Sequence, residues 1–257
     1  MNKELRRRIV DIITRGKDGH IPSALSIIDI LSVLYKHCLK FDPKNPKWSE
    51  RDYFILSKGH GCVGLYAILE KFGFISQKDV ELFCRPGGKL GEHPDCTKVP
   101  GVEASTGSLG HGFPFAVGIA LGLRLKGMKN KVVTLVGDGE CHEGTVWEAA
   151  NIANNLQLGN LCVIVDWNGS AAQLMPRDEL AAKWRAFGWQ TQVIDGHSEK
   201  EILKALKSVK FKLKGLPTAI IAKTVKGKGV RMIEGHGVWH HRIPNADEYK
   251  MISEALS

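Results

Sequence analysis

Apolar residues recur at helical spacing at the start of the chain, at Leu5, Ile9, Ile12 and Ile13, and predict a first helix. Glycine and proline between Gly16 and Ser23 read as a break. The helical pattern resumes over Ser26–Leu39, with Ile27, Leu31, Leu34 and Tyr35 on one side. A turn-rich connector, Phe41–Arg51, leads into the short apolar run Asp52–Leu56, a buried strand, and Gly64–Phe72 is helix-like again. Phe113–Lys126 is apolar and rich in small residues, which predicts a closely packed helix. Lys131–Val136, Leu161–Val165, Gln192–Ile194 and Thr218–Ala222 read as strands. Thr145–Asn155, Asp178–Phe187 and Ser198–Lys210 read as helices, the last opened by a Ser198/Glu201 capping box. Apolar strands alternating with helices predict an α/β fold, a mostly parallel sheet with helices on both faces. No repeat, low-complexity tract or linker divides residues 1–257, so one domain is expected.

Composition changes this picture little. The chain has 257 residues, 43% hydrophobic and 25% charged, as an ordinary globular protein does. No apolar run approaches the ~20 residues of a membrane span. The first nine residues lack the apolar core of a signal peptide. The net charge of +9 is dispersed, and no nucleic-acid module or interleaving of aromatic and basic residues appears. The six cysteines form no CxxC and no metal framework. Free thiols suit a reducing compartment, so a cytoplasmic protein without membrane or nucleic-acid partners is expected.

The informative segments are the glycine-rich ones. Arg85–Gly112 holds three prolines and seven glycines in 28 positions, too long for an idle connection. The strand ending at Val136 runs into Gly137-Asp138-Gly139-Glu140, and the strand ending at Val165 runs into Asp166-Trp167-Asn168-Gly169. In open α/β sheets ligands bind beyond the carboxyl ends of the strands. An aspartate and an asparagine oxygen on neighbouring strand tips, 30 residues apart, suit a small hard cation such as magnesium, which shares its shell with phosphate oxygens. The helix starting near Glu143 would aim its N-terminus at the same crevice, where a diphosphate is favoured.

This pattern resembles the thiamine diphosphate motif, and the chain as a whole resembles the N-terminal subunit of a split transketolase. The likeness runs from Gly19 to about Pro244 through Gly19-His20, Leu56–Gly61, Glu92-His93-Pro94, Gly101–Gly112, Gly137–Gly144, Lys223–Gly229 and Trp239-His240. It implies the thiamine diphosphate-binding fold of the diphosphate type. It further implies that Asp138, Asn168 and the Ser170 carbonyl hold Mg2+, or Ca2+ or Mn2+ in its place. His60, Gly139 and His240 would contact the diphosphate, and Gly107, Ser108 and Leu109 would pass under the rings. His20 and His93 would be the catalytic pair in the substrate channel, placed to relay protons or hydrogen-bond the hydroxyls, tasks suited to pKa values near neutrality. Glu143 and Glu148 would join an acidic network at a subunit interface, Glu143 beside the cofactor. The resemblance implies transfer of a two-carbon ketol unit from a ketose to an aldose, as sugars or sugar phosphates. It also implies a C-terminal partner subunit carrying the pyrimidine-side domain, in a heterotetramer. The sequence departs from the family at Ile21-Pro22-Ser23, at Ser108 in place of a frequent proline, and at His111 in place of a frequent glutamine. His236 and His241 read as loop residues, and His37, His142 and His197 as packed or solvated. Another thiamine enzyme, such as a 2-oxo acid dehydrogenase α subunit or a deoxyxylulose-phosphate synthase-like protein, and a non-catalytic cofactor-binding protein are the alternatives.

Overall fold

The computed structural model describes every residue except Met1, Leu174, residues 176–178 and His236, and leaves out the side chain of Gln173. Five strands, β1 (Tyr53–Leu56), β2 (Val132–Gly137), β3 (Leu161–Trp167), β4 (Gln190–Asp195) and β5 (Thr218–Lys223), form one sheet in the order β1-β2-β3-β5-β4. Every pairing is parallel. The helices are α1 (Lys3–Gly16), α2 (Ile21–His37), α3 (Cys62–Lys71), α4 (Gln77–Glu81), α5 (Gly112–Leu125), α6 (Gly144–Asn155), α7 (Leu180–Ala186), α8 (Glu199–Ser208) and α9 (Ala246–Ala255).

Strand alternation sorts the interior into two cores. Leu56, Val133, Leu135, Ile164 and Ile220 face α1, α2, α3 and α8. Ile55, Val132, Val136, Val163, Val165 and Ile221 face α5, α6 and α7. The side-chain period of two makes this division automatic once the register is set. Trp184 and Trp189 pack in the second core with Phe113, and Trp147 joins them. Trp48 instead lies near the surface under Lys40, 4.5 Å from its ring centre.

Several boundaries differ from the sequence reading. The end of the expected break, Ile21–Ser23, is the start of α2: His20 caps it, and Pro22 sits in its first turn, where a missing N–H costs nothing. The strand β3 continues through Asp166 and Trp167, and the edge strand β4 is twice the predicted length. Helix α8 keeps half of its expected capping box. Ser198 accepts from Glu201 N, but the Glu201 carboxylate turns to Asp195 N at 2.9 Å. Helices α4 and α9 escape the sequence pattern; both open on true capping boxes, Ser76/Asp79 and Asn245/Glu248. Asp178, the expected start of α7, and His236 lie outside the described residues.

A buried ionic knot ties the helices to the end of the sheet. Arg6 donates to both oxygens of Asp29, at 2.8 and 2.6 Å, and its Nε donates to Lys228 O at 2.8 Å. His197 is neither idle nor merely solvated. Its Nε2 accepts from Val225 N, so the proton sits on Nδ1, which donates to Asp29 at 2.8 Å. Asp29 on α2 therefore joins α1 to the α8 cap, and its partners Arg6 and His197 in turn hold the loop after β5. Burial pushes the Asp29 carboxyl up, but His197 and Arg6 outweigh it and hold it at about 2. Asp29→Asn leaves Arg6 buried without its counter-charge and should cost ~3–5 kcal/mol in urea unfolding at neutral pH. An unfolded Asp titrates near ~3.9. The wild-type advantage should be complete above that pH and should fade as the pH falls toward the native value.

Candidate functional site

The loop after β3 leaves toward the face of α7, and the loop after β5 leaves toward the face of α1 and α9. Their divergence opens a crevice at the carboxyl ends of the strands. A cleft of about 680 Å3 lies there. Gly137 pairs with Asp166 in register, so Asp138 and Asn168 emerge side by side from β2 and β3. The turn after β3 brings them together: Ala171 N donates to Asp138 Oδ2 at 3.3 Å, and Ser170 N donates to Asn168 Oδ1 at 3.0 Å. Gly139 N donates to Asp138 Oδ1 at 2.8 Å, and a Cβ added to Gly139 would meet nothing within 4 Å. Backbone is thus presented to open space.

Beneath this pair sits a buried ion pair, Lys58 Nζ to Asp166 Oδ2 at 2.5 Å, with both side chains almost fully buried. Asp166 Oδ2 also accepts from Ser26 Oγ at 2.8 Å and from Asn168 Nδ2 at 2.9 Å, and Oδ1 accepts from Thr224 Oγ1. The bond to Nδ2 sets the Asn168 amide, since only its nitrogen can donate. The amide oxygen is left for the turn at Ser170. Burial raises the Asp166 carboxyl, but Lys58 outweighs it and keeps it below the usual range. Asp138 goes the other way, pushed up by burial and by the charge of Asp166.

Lys226 adds a second buried cation. Among the described residues it forms no ion pair: its Nζ lies 2.9 Å from His240 Nδ1 and 3.2 Å from Ser170 Oγ. Burial, and then the charge of Lys58, lower its pKa. Around it the histidine rings of His20 and His60 lie 5.3 Å apart, and those of His20 and His240 lie 5.2 Å apart. Of the pair His20 and His93, expected to relay protons or hydrogen-bond hydroxyls with pKa values near neutrality, His20 is displaced from that range. Burial, followed by Lys58, drives His60 down to about 2; burial, followed by His241 and His240, drives His20 to about 4. Both are neutral imidazoles at physiological pH.

The expected residues divide into two groups. His60, Leu109, Asp138, Gly139, Glu143, Asn168, Ser170 and His240 line the cleft. His20 stands against the rings of His60 and His240, and His93 is exposed, its ring 3.1 Å from the place a Cβ on Gly107 would take. Ser108 and Glu148 are exposed and Gly107 is half-buried, and none of the three lines the cleft. His111 is also exposed, with Nδ1 3.2 Å from Leu109 O. His142, read as packed or solvated, lines the cleft.

The whole chain, residues 1–257, matches the family model described as transketolase, thiamine diphosphate binding domain. This chain belongs to the transketolase family. It is 40% identical over 242 residues to the 6-deoxy-6-sulfo-D-fructose transketolase subunit SqwG of Clostridium sp. strain MSTE9, covering 92% of this chain and 88% of that protein. It is 39% identical over 260 residues to an apulose-4-phosphate transketolase subunit from Actinobacillus succinogenes, covering 99% and 94% respectively. The structure of transketolase from Campylobacter jejuni superposes with a TM-score of 0.91 at 33% identity, covering 98% of this chain and 41% of that one. This transketolase-family chain thus spans most of the two subunits and about two fifths of the longer enzyme.

Sequence reasoning missed Lys58, Asp166, Lys226 and Glu140. Glu140 is buried in the cleft wall, accepting from Ser57 Oγ, from Gly110 N at 2.9 Å and from Gly137 N at 3.1 Å. It clamps the glycine-rich loop to the end of β2, and burial raises its carboxyl pKa. The signal for Asp166 was a lone carboxylate ending a β-branched run; a charge that deep requires a partner. Lys58→Met and Asp166→Asn should each destabilise the fold by ~3–5 kcal/mol. Their double mutant should cost less than the sum, by at least ~1 kcal/mol in a denaturant double-mutant cycle, because each removes the other's counter-charge.

Proposed function

We propose that this chain is the cofactor-binding subunit of a two-chain transketolase, holding thiamine diphosphate and Mg2+ and transferring a two-carbon ketol unit from a ketose to an aldose together with a C-terminal partner. The observation that carries this reading is the pair of hard oxygens, Asp138 and Asn168, sharing one cleft with the Lys226 ammonium, which meets only neutral acceptors among the described residues. A divalent cation suits the oxygens, and a diphosphate suits the cation and the ammonium together. The oriented amide of Asn168, the open backbone at Gly139 and the raised Asp138 carboxyl all fit such a guest.

In this reading Asp138, Asn168 and the Ser170 carbonyl hold the metal. His60, Gly139, His240 and Lys226 contact the diphosphate, with Glu143 at the cleft mouth. Leu109, which lines the cleft, passes under the rings, with Gly107 and Ser108 leading into it outside the cleft lining. Thiamine diphosphate, when bound, supplies the nucleophilic carbon that breaks and forms the carbon–carbon bond beside a ketose carbonyl. His20, a neutral ring, and His93 hydrogen-bond the sugar hydroxyls and keep them oriented. Neutral donors stabilise developing negative charge on oxygen without competing for the diphosphate. The partner supplies the pyrimidine side, and two copies of each chain form a heterotetramer. The two relatives are named for a sulfonated and a phosphorylated sugar, and the substrate proposed here is likewise a sugar with an anionic terminus. The described cysteines are free, which suits the cytoplasm, and no described helix is long and apolar enough to cross a membrane.

Calorimetric titration of the two-chain enzyme with thiamine diphosphate at saturating Mg2+ tests this. Asp138→Ala should weaken binding ~10–100-fold, the scale of a lost charged contact. His20→Ala and His93→Ala should keep cofactor affinity and lower ketol transfer ~10²–10³-fold, as loss of an oriented donor does. Ketol transfer by this chain without a partner, or unchanged cofactor affinity in Asp138→Ala, contradicts the proposal.

A further inference from the structure

Beside the cleft, three residues from separate segments converge. His20 caps α2, Glu92 lies in the glycine-rich segment before α5, and His241 follows β5 in the run toward α9. Their donor atoms all lie within 4.8 Å of one another. His20 Nδ1 is 3.3 Å and His241 Nε2 is 3.1 Å from Glu92 Oε1. A fourth oxygen, Asp18 Oδ1, is 3.1 Å from His241 Nε2.

We propose that His20, Glu92 and His241 form a transition-metal site that takes Zn2+, with Asp18 or water completing the shell. Zinc bonds of ~2.0–2.1 Å in a tetrahedron put neighbouring donors ~3.3 Å apart, close to the 3.3 and 3.1 Å that separate the two histidine nitrogens from Glu92 Oε1. His20 Nδ1 is buried and makes no aligned hydrogen bond, in spite of its closeness to Glu92. A neutral imidazole with an unused lone pair is a metal ligand. Two imidazoles and a carboxylate favour zinc over magnesium, whose shell is oxygen.

The scaffold is already set. The Tyr66 hydroxyl is shared between Gly91 O at 3.0 Å and His93 O at 3.1 Å, and Cys62 Sγ donates to Glu92 O at 2.8 Å, so α3 holds the loop carrying Glu92. Asp18 accepts from Gly19 N at 2.8 Å. The Cys84 thiol faces the same carboxylates; burial, then the charges of Asp18 and Glu92, push it up to about 11. His241 is half exposed, which gives the ion access from solvent. Zinc on Nδ1 would leave the His20 proton on Nε2 and so fix one tautomer of that ring.

The site does not depend on the proposed activity, and its test reads metal directly. The full chain in a Cys96→Ser background, which removes the exposed thiol, is titrated with zinc chloride in excess Mg2+. One zinc per chain is expected. Glu92→Gln and His241→Gln should each weaken it at least ~10-fold, while Asp138→Asn leaves it within ~2-fold. Anomalous scattering at the zinc edge should place the ion between His20 Nδ1, Glu92 Oε1 and His241 Nε2. Absence of zinc binding, wild-type zinc affinity in both cluster variants, or loss of zinc in Asp138→Asn overturns the assignment.

Discussion

The contact between Lys58 and Asp166 is the constraint on which the cleft depends. A carboxylate at the end of a central parallel strand is cut off from water, and an ammonium from the loop after β1 neutralises it at 2.5 Å. Taking both charges out of water is expensive, and the fold recovers that only by giving Asp166 further donors. Those donors are the point: Ser26 belongs to α2, Thr224 follows β5, and Asn168 follows β3. One buried carboxylate therefore joins four segments and turns the Asn168 amide. The Asp29 knot does similar work on the far side of the 224–228 loop, through Val225 and Lys228.

Charge in the cleft follows from this arrangement. Lys58 is matched, whereas Lys226 meets only neutral acceptors among the described residues. Burial, and then the charges of the two lysines, lower the pKa of the neighbouring His60 and His240. The site is thus poised for an anion but not crowded with protonated imidazoles. Asp138, its carboxyl raised beside Asp166, gains most from a cation. In the proposed function a metal and an anion would complement each other here, each relieving the other's isolation.

Much of this was legible in the sequence where local pattern and tertiary environment agree. The β-branched runs of β2 and β3 are buried on both faces and read as strands in any context. Gly137-Asp138-Gly139 and Asn168-Gly169 announce turns whose position at strand ends gives them meaning. The misses have physical causes. The start of α2 was hidden because Pro22 looks like a breaker unless it lies in the first turn. Helix α9 has Ile252 as its one buried residue inside the helix, too little for a periodic signal. Lys58, Asp166 and Lys226 are polar residues in apolar or glycine-rich settings, and their pairing spans 108 positions in one case and 14 in another. The neutrality of the histidines arises from burial and neighbouring charge, which no linear pattern encodes.

Asp166 is expected to govern the proposed cofactor site without lining the cleft itself. Asp166→Asn keeps the side chain's size and removes its charge. Thiamine diphosphate affinity of the assembled two-chain protein at saturating Mg2+ is the quantity to measure, with circular dichroism confirming that the variant is folded at the working temperature. The expected result is a loss of ~10–100-fold, the effect typical of a group that orients a metal ligand. A folded variant with wild-type affinity would contradict the central role given to this carboxylate.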